Sequence, residues 1–427
     1  MVLNMMEKTF NIFKFKNITV RNFLIFLATL FFSLGFLVFG IPSGIAGFNV
    51  TDILFIISCI LFAVVLFFDK NFKFSFKDKT LTYIYFILSL FVLSIVAVGV
   101  SGIFTIALFT RFVRWSFFGI TLYLATNLID LNFFKKFVVY LSVAASLFLI
   151  FQLLFDALFN VVLSFNFGGR VIGYAEEILS LGAGQTHVVK RFSSFFTEPS
   201  YFSFFTALGL YLVLNYEKRP QYMWPFSIVI SVAVVLTTST YGIALIALIW
   251  LFYSYYFLRR FIANKYYIVL IYVIGVIFGL LFLLIFKETV MVTYLLNKLK
   301  SIGLSSRTLP ITYFANKIPW FHQIYGIGLG NEEIYFATMT FFSSINLTFL
   351  GGGYCGIGLL ILYFVDLFIR EKKNHLLKII FIFIVLFSSS LYSAISTVYL
   401  VMIYNLEEPI RKIKIDEKEI ILENELE

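Results

Sequence analysis

Apolar residues along this chain gather in blocks of about 20, the length that crosses a bilayer core as one helix, and short polar stretches separate the blocks. The pattern predicts spans near 23–41, 49–68, 81–100, 102–127, 137–159, 199–215, 222–238, 240–258, 266–286 and 344–368. A further apolar stretch runs from Leu376 to Tyr404, longer than one span needs and short for two. The polar run Ser388, Ser389, Ser390 in its middle favours two short crossings. The expected fold is therefore an all-α, polytopic transmembrane helical bundle of about twelve spans. Ten-residue alternations typical of outer-membrane barrels are missing, and unbroken runs such as Tyr266 to Phe286 leave no positions for a polar lumen.

The polar punctuation orients the bundle. Nineteen Lys and Arg fall in the leader and in every second connection, among them Lys14, Arg21, Lys70, Lys79, Lys135, Lys218, Arg259 and Arg370, whereas the loop from Ile41 to Phe48 has none. Loop cations stay on the cytoplasmic side, so the N-terminus is expected there. Residues 1–22 read as a cytoplasmic leader, 23–404 as the bundle and 405–427 as a charged cytoplasmic tail. The first span lacks a small-residue cleavage pattern and reads as an uncleaved anchor.

Composition agrees and removes alternatives. The chain has 427 residues, 61% apolar and only 13% charged, against roughly 25% charged in soluble domains. A net charge of +10 is spread between the hydrophobic blocks, which speaks for membrane orientation and against nucleic acid as a partner. Cys59 and Cys355 both lie inside apolar runs, so neither a disulfide framework nor a cysteine metal site is expected.

Two outward-facing loops, 160–198 and 287–343, are far longer than the other connections, and loops of that length are usually functional or disordered. They hold Arg170, Lys190, Arg191, Arg307, His187, His322, Glu198, Glu332 and Trp320. In the first, Arg191-Phe-Ser-Ser-Phe-Phe-Thr-Glu198-Pro199-Ser200-Tyr201 runs straight into the sixth span. Proline suits the first helical turn, which makes Glu198 the N-cap residue, beside a helix end that favours anions. The segment reads either as an ordinary acidic cap or as a functional carboxylate with Lys190 and Arg191 at a helix mouth.

In the second loop, Ser305-Ser306-Arg307 precedes Pro319-Trp320-Phe321-His322 and Tyr325-Gly-Ile-Gly-Leu-Gly330-Asn331. Glycines at alternate positions permit tight turns and close approach, either to a ligand or as a loop entering the membrane interface. Arg307 is a candidate anion clamp or a solvated loop charge. Arg111 and Arg114, one helical turn apart in the fourth span, either bind a lipid phosphate or diphosphate, or snorkel, or pair with Asp156 or Glu198. His322 is a candidate proton shuttle, although lone loop histidines are often bystanders. No Asp-x-Asp pair, HExxH, CxxC, P-loop or GxSxG occurs, so no metal or cofactor is expected.

The Arg191 to Tyr201 segment, Ser306-Arg307, the Gly326 to Gly330 run, Asn346 and Gly356-Ile-Gly358 together resemble the O-antigen polymerase family (Wzy type), related to the O-antigen ligases. The ligases typically carry a His-Asn pair where this chain has Ile345-Asn346, whereas Glu198-Pro199-Ser200 fits the polymerases. The resemblance implies a glycosyltransferase of the bacterial inner membrane that joins undecaprenyl-diphosphate-linked oligosaccharide repeat units at the outer face, without a metal. Ligase and flippase or transporter are the alternatives. Membrane lipid, a chain-length regulator and a flippase of the same pathway would be its partners. Glu198 and, less strongly, His322 would act as base; Arg191, Arg307, Arg114, Arg111 and Lys190 would bind the diphosphate; Arg170, Trp320 and Tyr325 would contact glycan.

Overall fold

The computed structural model describes residues 19–38, 40–41, 43–44, 48–68, 79–167, 170–180, 186–259, 261–262, 264–285, 311–336 and 342–407. Helices form where the apolar blocks stand: α1 (Val20–Leu37), α2 (Val50–Phe68), α3 (Leu81–Ser101), α4 (Ile106–Leu128), α5 (Leu131–Phe159), α6 (Pro199–Tyr216), α7 (Pro220–Leu236), α8 (Thr240–Leu258) and α9 (Lys265–Ile285). Short helices α10 (Ile311–Ala315), α11 (Trp320–Tyr325) and α12 (Glu332–Tyr335) precede α13 (Ser344–Arg370), α14 (His375–Phe387) and α15 (Ala394–Asn405). Among the described residues, α1, α3, α5, α8 and α13 are each long and apolar enough to cross a membrane.

Helix boundaries follow polar side chains that satisfy the first free amides. Asp130 accepts from the Phe133 N–H at the start of α5, and Ser239 and Ser343 do the same for α8 and α13 through Gly242 and Asn346. The centre of the bundle is α6 with α15. Nearly every side chain of α6 from Pro199 to Leu214 is buried, as is α15 from Ala394 to Tyr404, and the Tyr399 hydroxyl of α15 donates to the Phe204 carbonyl of α6 at 2.7 Å.

The Leu376 to Tyr404 stretch does divide at its serines. α14 and α15 have 13 and 12 residues, about 20 Å each at 1.5 Å per residue, which is less than the roughly 30 Å of a bilayer core. They return to the same end: Asn374, just before α14, donates to the Leu406 carbonyl just after α15 at 2.6 Å. Their turn is buried, and Ser344 at the head of α13 closes it by donating to the Ser388 carbonyl at 2.6 Å and accepting from the Leu391 N–H at 3.0 Å.

The fold is all-α as expected, with two small antiparallel strand pairs added in the first long loop. Phe165–Phe167 (β1) pairs antiparallel with Arg170–Ile172 (β2), and Tyr174–Ser180 (β3) with Thr186–Phe192 (β4). Thr186-His-Val-Val-Lys-Arg-Phe contains β-branched residues, but Tyr174-Ala-Glu-Glu-Ile-Leu-Ser has no alternation to mark it as a strand. Pairing across the ladder, more than intrinsic preference, makes it one.

The second long loop sends a non-helical strap, Gly326 to Asn331, into the bundle between α3, α4 and α13, where all six residues are buried. Such backbone is tolerated inside a membrane bundle only where the protein itself meets its polar groups. Here α13 supplies the partners, because its backbone leaves helical geometry at Gly353 (φ 62, ψ −154). The Leu350 carbonyl accepts from the Ile327 N–H at 2.7 Å, and the Gly351 carbonyl accepts from the Ser94 hydroxyl at 2.9 Å. Asn331 pins the end of the strap, donating to Ile327 and Ile103 carbonyls and accepting from Thr105.

The strap needs its glycines. Gly326 has φ +84, and a Cβ there would lie 2.6 Å from backbone atoms of Gly351 and Gly352. Gly326→Ala is therefore expected to destabilise the detergent-solubilised protein by at least about 2 kcal/mol, measured by thermal or denaturant unfolding. Gly275→Ala, inside α9, would place its Cβ in open space with nothing within 4 Å, and should be neutral or slightly stabilising.

Candidate functional site at the loop end of the bundle

Glu198 and Arg191 belong to one tightly bonded turn. β4 ends at Phe192; the Ser193 N–H then donates to the Gly173 carbonyl at 3.1 Å, and the Ser193 hydroxyl to the Phe196 carbonyl at 2.7 Å. From α5, the fully buried Gln152 amide donates to the carbonyls of Leu163 (2.7 Å), Ser194 (3.3 Å) and Gly173 (3.4 Å). Phe192 and Phe196 are buried beneath the turn, and Phe196 packs on Phe205 of α6, which in turn meets Phe36 of α1. A surface loop is thereby anchored in the helical core, with Arg191 at its entry and Glu198 at its exit.

Glu198 is the N-cap residue of α6 by backbone, since its carbonyl accepts from Tyr201 and Phe202 N–H groups at 3.1 and 3.2 Å. Its carboxylate makes no capping bond and instead accepts from the Ser200 hydroxyl at 3.0 Å. Glu198 thus caps the helix by its backbone alone, with no side-chain bond to the first helix amides. A half-buried carboxylate in this position can accept a proton from a neighbouring hydroxyl.

The α4 arginines are paired with carboxylates that nothing local in the sequence singles out. One Arg111 nitrogen lies 2.7 Å from both carboxylate oxygens of Glu332, whose side chain is 1% exposed. Arg114 Nε donates to Asp52 Oδ1 at 3.0 Å, and Asp52, 2% exposed, also accepts from the Asn49 N–H at 2.7 Å. The expected partners Asp156 and Glu198 are corrected accordingly: Asp156 takes Lys190, at 2.8 Å. A buried carboxylate without a cation is strongly disfavoured, so these pairs are requirements of burial. Arg111, Arg114 and Lys190, expected as diphosphate ligands, each stand in an ion pair with a carboxylate of the protein.

His322 is buried, and its Nδ1 lies 2.7 Å from the Gly326 carbonyl at the head of the strap. A carbonyl can only accept, so Nδ1 is the donor in this hydrogen bond and Nε2 is left for other partners. The ring sits 6.3 Å from that of Tyr335. Trp320 is 71% exposed beside Phe321, and Tyr325 packs on the Phe321 ring. Arg170 pairs with Phe167 in the β1–β2 ladder. Arg307 lies outside the described residues.

The glycine run approaches helices, not a ligand: its backbone is occupied by Leu350, Ser94 and Glu332, the last accepting from the Gly330 N–H at 3.1 Å. Sequence reasoning missed Asp52, Gln152, Asn331 and Glu332 as organising residues. Asp52 had a signal, a lone acid at the head of an apolar block, but nothing local names its partner. Among the described residues no three His, Cys, Asp or Glu side chains gather as a metal site. Comparisons of this chain with protein-family models, curated proteins and solved structures return no match.

The Arg111–Glu332 pair yields a test. Glu332→Gln leaves a guanidinium facing an uncharged buried amide and should cost about 3 kcal/mol. The double variant Arg111→Met, Glu332→Leu should recover most of that loss in the same unfolding measurement. Wild-type stability for Glu332→Gln would show that the pair does not hold the strap.

Proposed function

We propose that the protein is a membrane glycosyltransferase that polymerises lipid-diphosphate-linked oligosaccharide units. The proposed setting is the bacterial inner membrane, with a cytoplasmic N-terminus, about twelve helical passages counting the short α14–α15 pair, and the long loops facing outward. The observation that carries the reading is the Arg191 to Ser200 segment: a carboxylate held by Ser200 and an arginine share one buried-aromatic turn at the mouth of a largely buried central helix.

In this reading a hydroxyl of the acceptor sugar attacks the anomeric carbon of the donor glycan. A new glycosidic C–O bond forms as the bond to the lipid diphosphate breaks, and the hydroxyl proton passes to Glu198. The departing diphosphate takes the electron pair and needs positive charge, supplied by Arg191 and Arg307. Arg111 and Arg114 support the site by holding α2, the strap and α4 together through Asp52 and Glu332. His322, through Nε2, is the secondary candidate for the proton transfer. Trp320, exposed on α11, suits stacking against a sugar ring.

Glu198→Gln and Arg191→Ala are each expected to shorten or abolish the glycan ladder by at least about a hundredfold in rate, the lower range for general acid–base catalysis. The measurement is ladder formation on gels from cells expressing each variant at the normal level. Long chains from both variants would reject the site. In a deletion strain, single-unit glycan should accumulate on the outer face; accumulation on the inner face would instead identify a flippase.

A further inference from the structure

α3 and α13 run antiparallel, and near their lysine-rich end an open groove of about 390 Å³ lies between Thr82, Tyr85 and Ser89 on one side and Leu362, Tyr363 and Asp366 on the other. This volume lies in the range of roughly 300–1,000 Å³ common for ligand clefts. Along α3 the groove covers Thr82 to Ser89, and along α13 Leu359 to Ile369. At 1.5 Å per residue these lengths are about 10 and 15 Å, a third and a half of a bilayer core of roughly 30 Å. The groove therefore matches one leaflet in depth.

Its two ends differ. The deep part is apolar, and its rim residues Leu362 and Val365 are 64% and 48% exposed on the lipid-facing surface. Tyr363 lines the groove with its side chain 2% exposed, and its hydroxyl has no hydrogen-bond partner among the described residues. Thr82 and Ser89 add further hydroxyls. At the lip stand Lys79, Arg370, Lys372 and Lys373. Among the described residues, two carboxylates are bonded to these cations: Asp366 to Arg370 at 2.6 Å, and the buried Glu371 to Lys79. Lys372 and Lys373 are exposed, so among the described residues the lip carries more cations than carboxylates.

We infer that this groove is a binding site for an anionic phospholipid of the leaflet at the lysine-rich end. One acyl chain lies between α3 and α13, and the phosphate sits among Arg370, Lys372 and Lys373. Basic pockets between membrane helices select anionic headgroups because each Lys or Arg near the surface contributes about 1 kcal/mol. The Thr82 and Ser89 hydroxyls offer donors for the ester carbonyls just below the headgroup. Glu371 and Asp366 hold Lys79 and Arg370 at the lip, and the cations beyond them face the lipid. The groove lies at the opposite end of α3 and α13 from the strap, so lipid binding there is independent of the transferase chemistry.

The test uses the full chain in detergent, titrated with dioleoylphosphatidylglycerol or dioleoylphosphatidylcholine and read by native mass spectrometry and thermal shift. Wild type should bind the anionic lipid in preference to the zwitterionic one. In the triple variant Arg370→Gln, Lys372→Gln, Lys373→Gln, that preference should fall by about fivefold for each cation removed. Leu362→Trp, which fills the groove from an exposed position, should weaken both lipids, while Ile361→Trp, exposed on the same helix outside the groove, should weaken neither. Equal binding of the two lipids by wild type, unchanged preference in the triple variant, or full binding by Leu362→Trp would each overturn the site. Displacement of the lipid by millimolar inorganic phosphate would also overturn it, by making the site one for a free anion.

Discussion

An apolar bundle gives a polar backbone group no partner except another part of the protein, and this constraint organises the loop end of the molecule. α13 breaks at Gly353, and the carbonyls of Leu350 and Gly351 are taken by the Ile327 N–H and the Ser94 hydroxyl. The strap fits there because its own amides need acceptors as much as the broken helix needs donors. Hydrogen bonding thus joins a loop late in the chain to α3 and α13, and the glycines allow the backbones to come close enough for it to happen.

Charge obeys the same constraint. Asp52 and Glu332 are nearly inaccessible, and each is met by an arginine from α4. The two pairs connect α2 and the strap to one face of α4, so the arginines serve as crosslinks between elements distant in sequence. At the other end of the bundle, Glu371 receives Lys79 and the Lys378 amine donates to the Glu371 carbonyl, closing α3, α13 and α14 together. Among the described residues, the buried carboxylates Asp52, Glu332 and Glu371 are each met by a cation.

Arg191 and Glu198 are carried on a turn whose position depends on Gln152 below and on Phe192 and Phe196 beneath it. These contacts seat the turn on a central helix, as the base and the charge-stabilising group of the proposed reaction would require. Arg111 and Arg114 contribute at one remove, by keeping α4 and the strap in register.

Hydrophobic blocks alone were enough to place the helices, because a segment of about 20 apolar residues has few options besides a helix that buries its own backbone bonds. The observed α1 to α9 and α13 lie within a few residues of the expected spans, and the serine run does divide the last stretch. Local chemistry also made Glu198 the N-cap, since proline after it permits nothing else so readily. Partner identity was decided only in three dimensions. The sequence offers Arg111 several acids, and Glu332 is chosen because the strap delivers it to α4; β3 is a strand because β4 lies beside it; the glycine run meets helices because α13 is kinked to receive it. Periodicity and propensity act over a few residues and are written in the chain, whereas ion pairs, ladders and close backbone approaches depend on which distant segments the packing brings together.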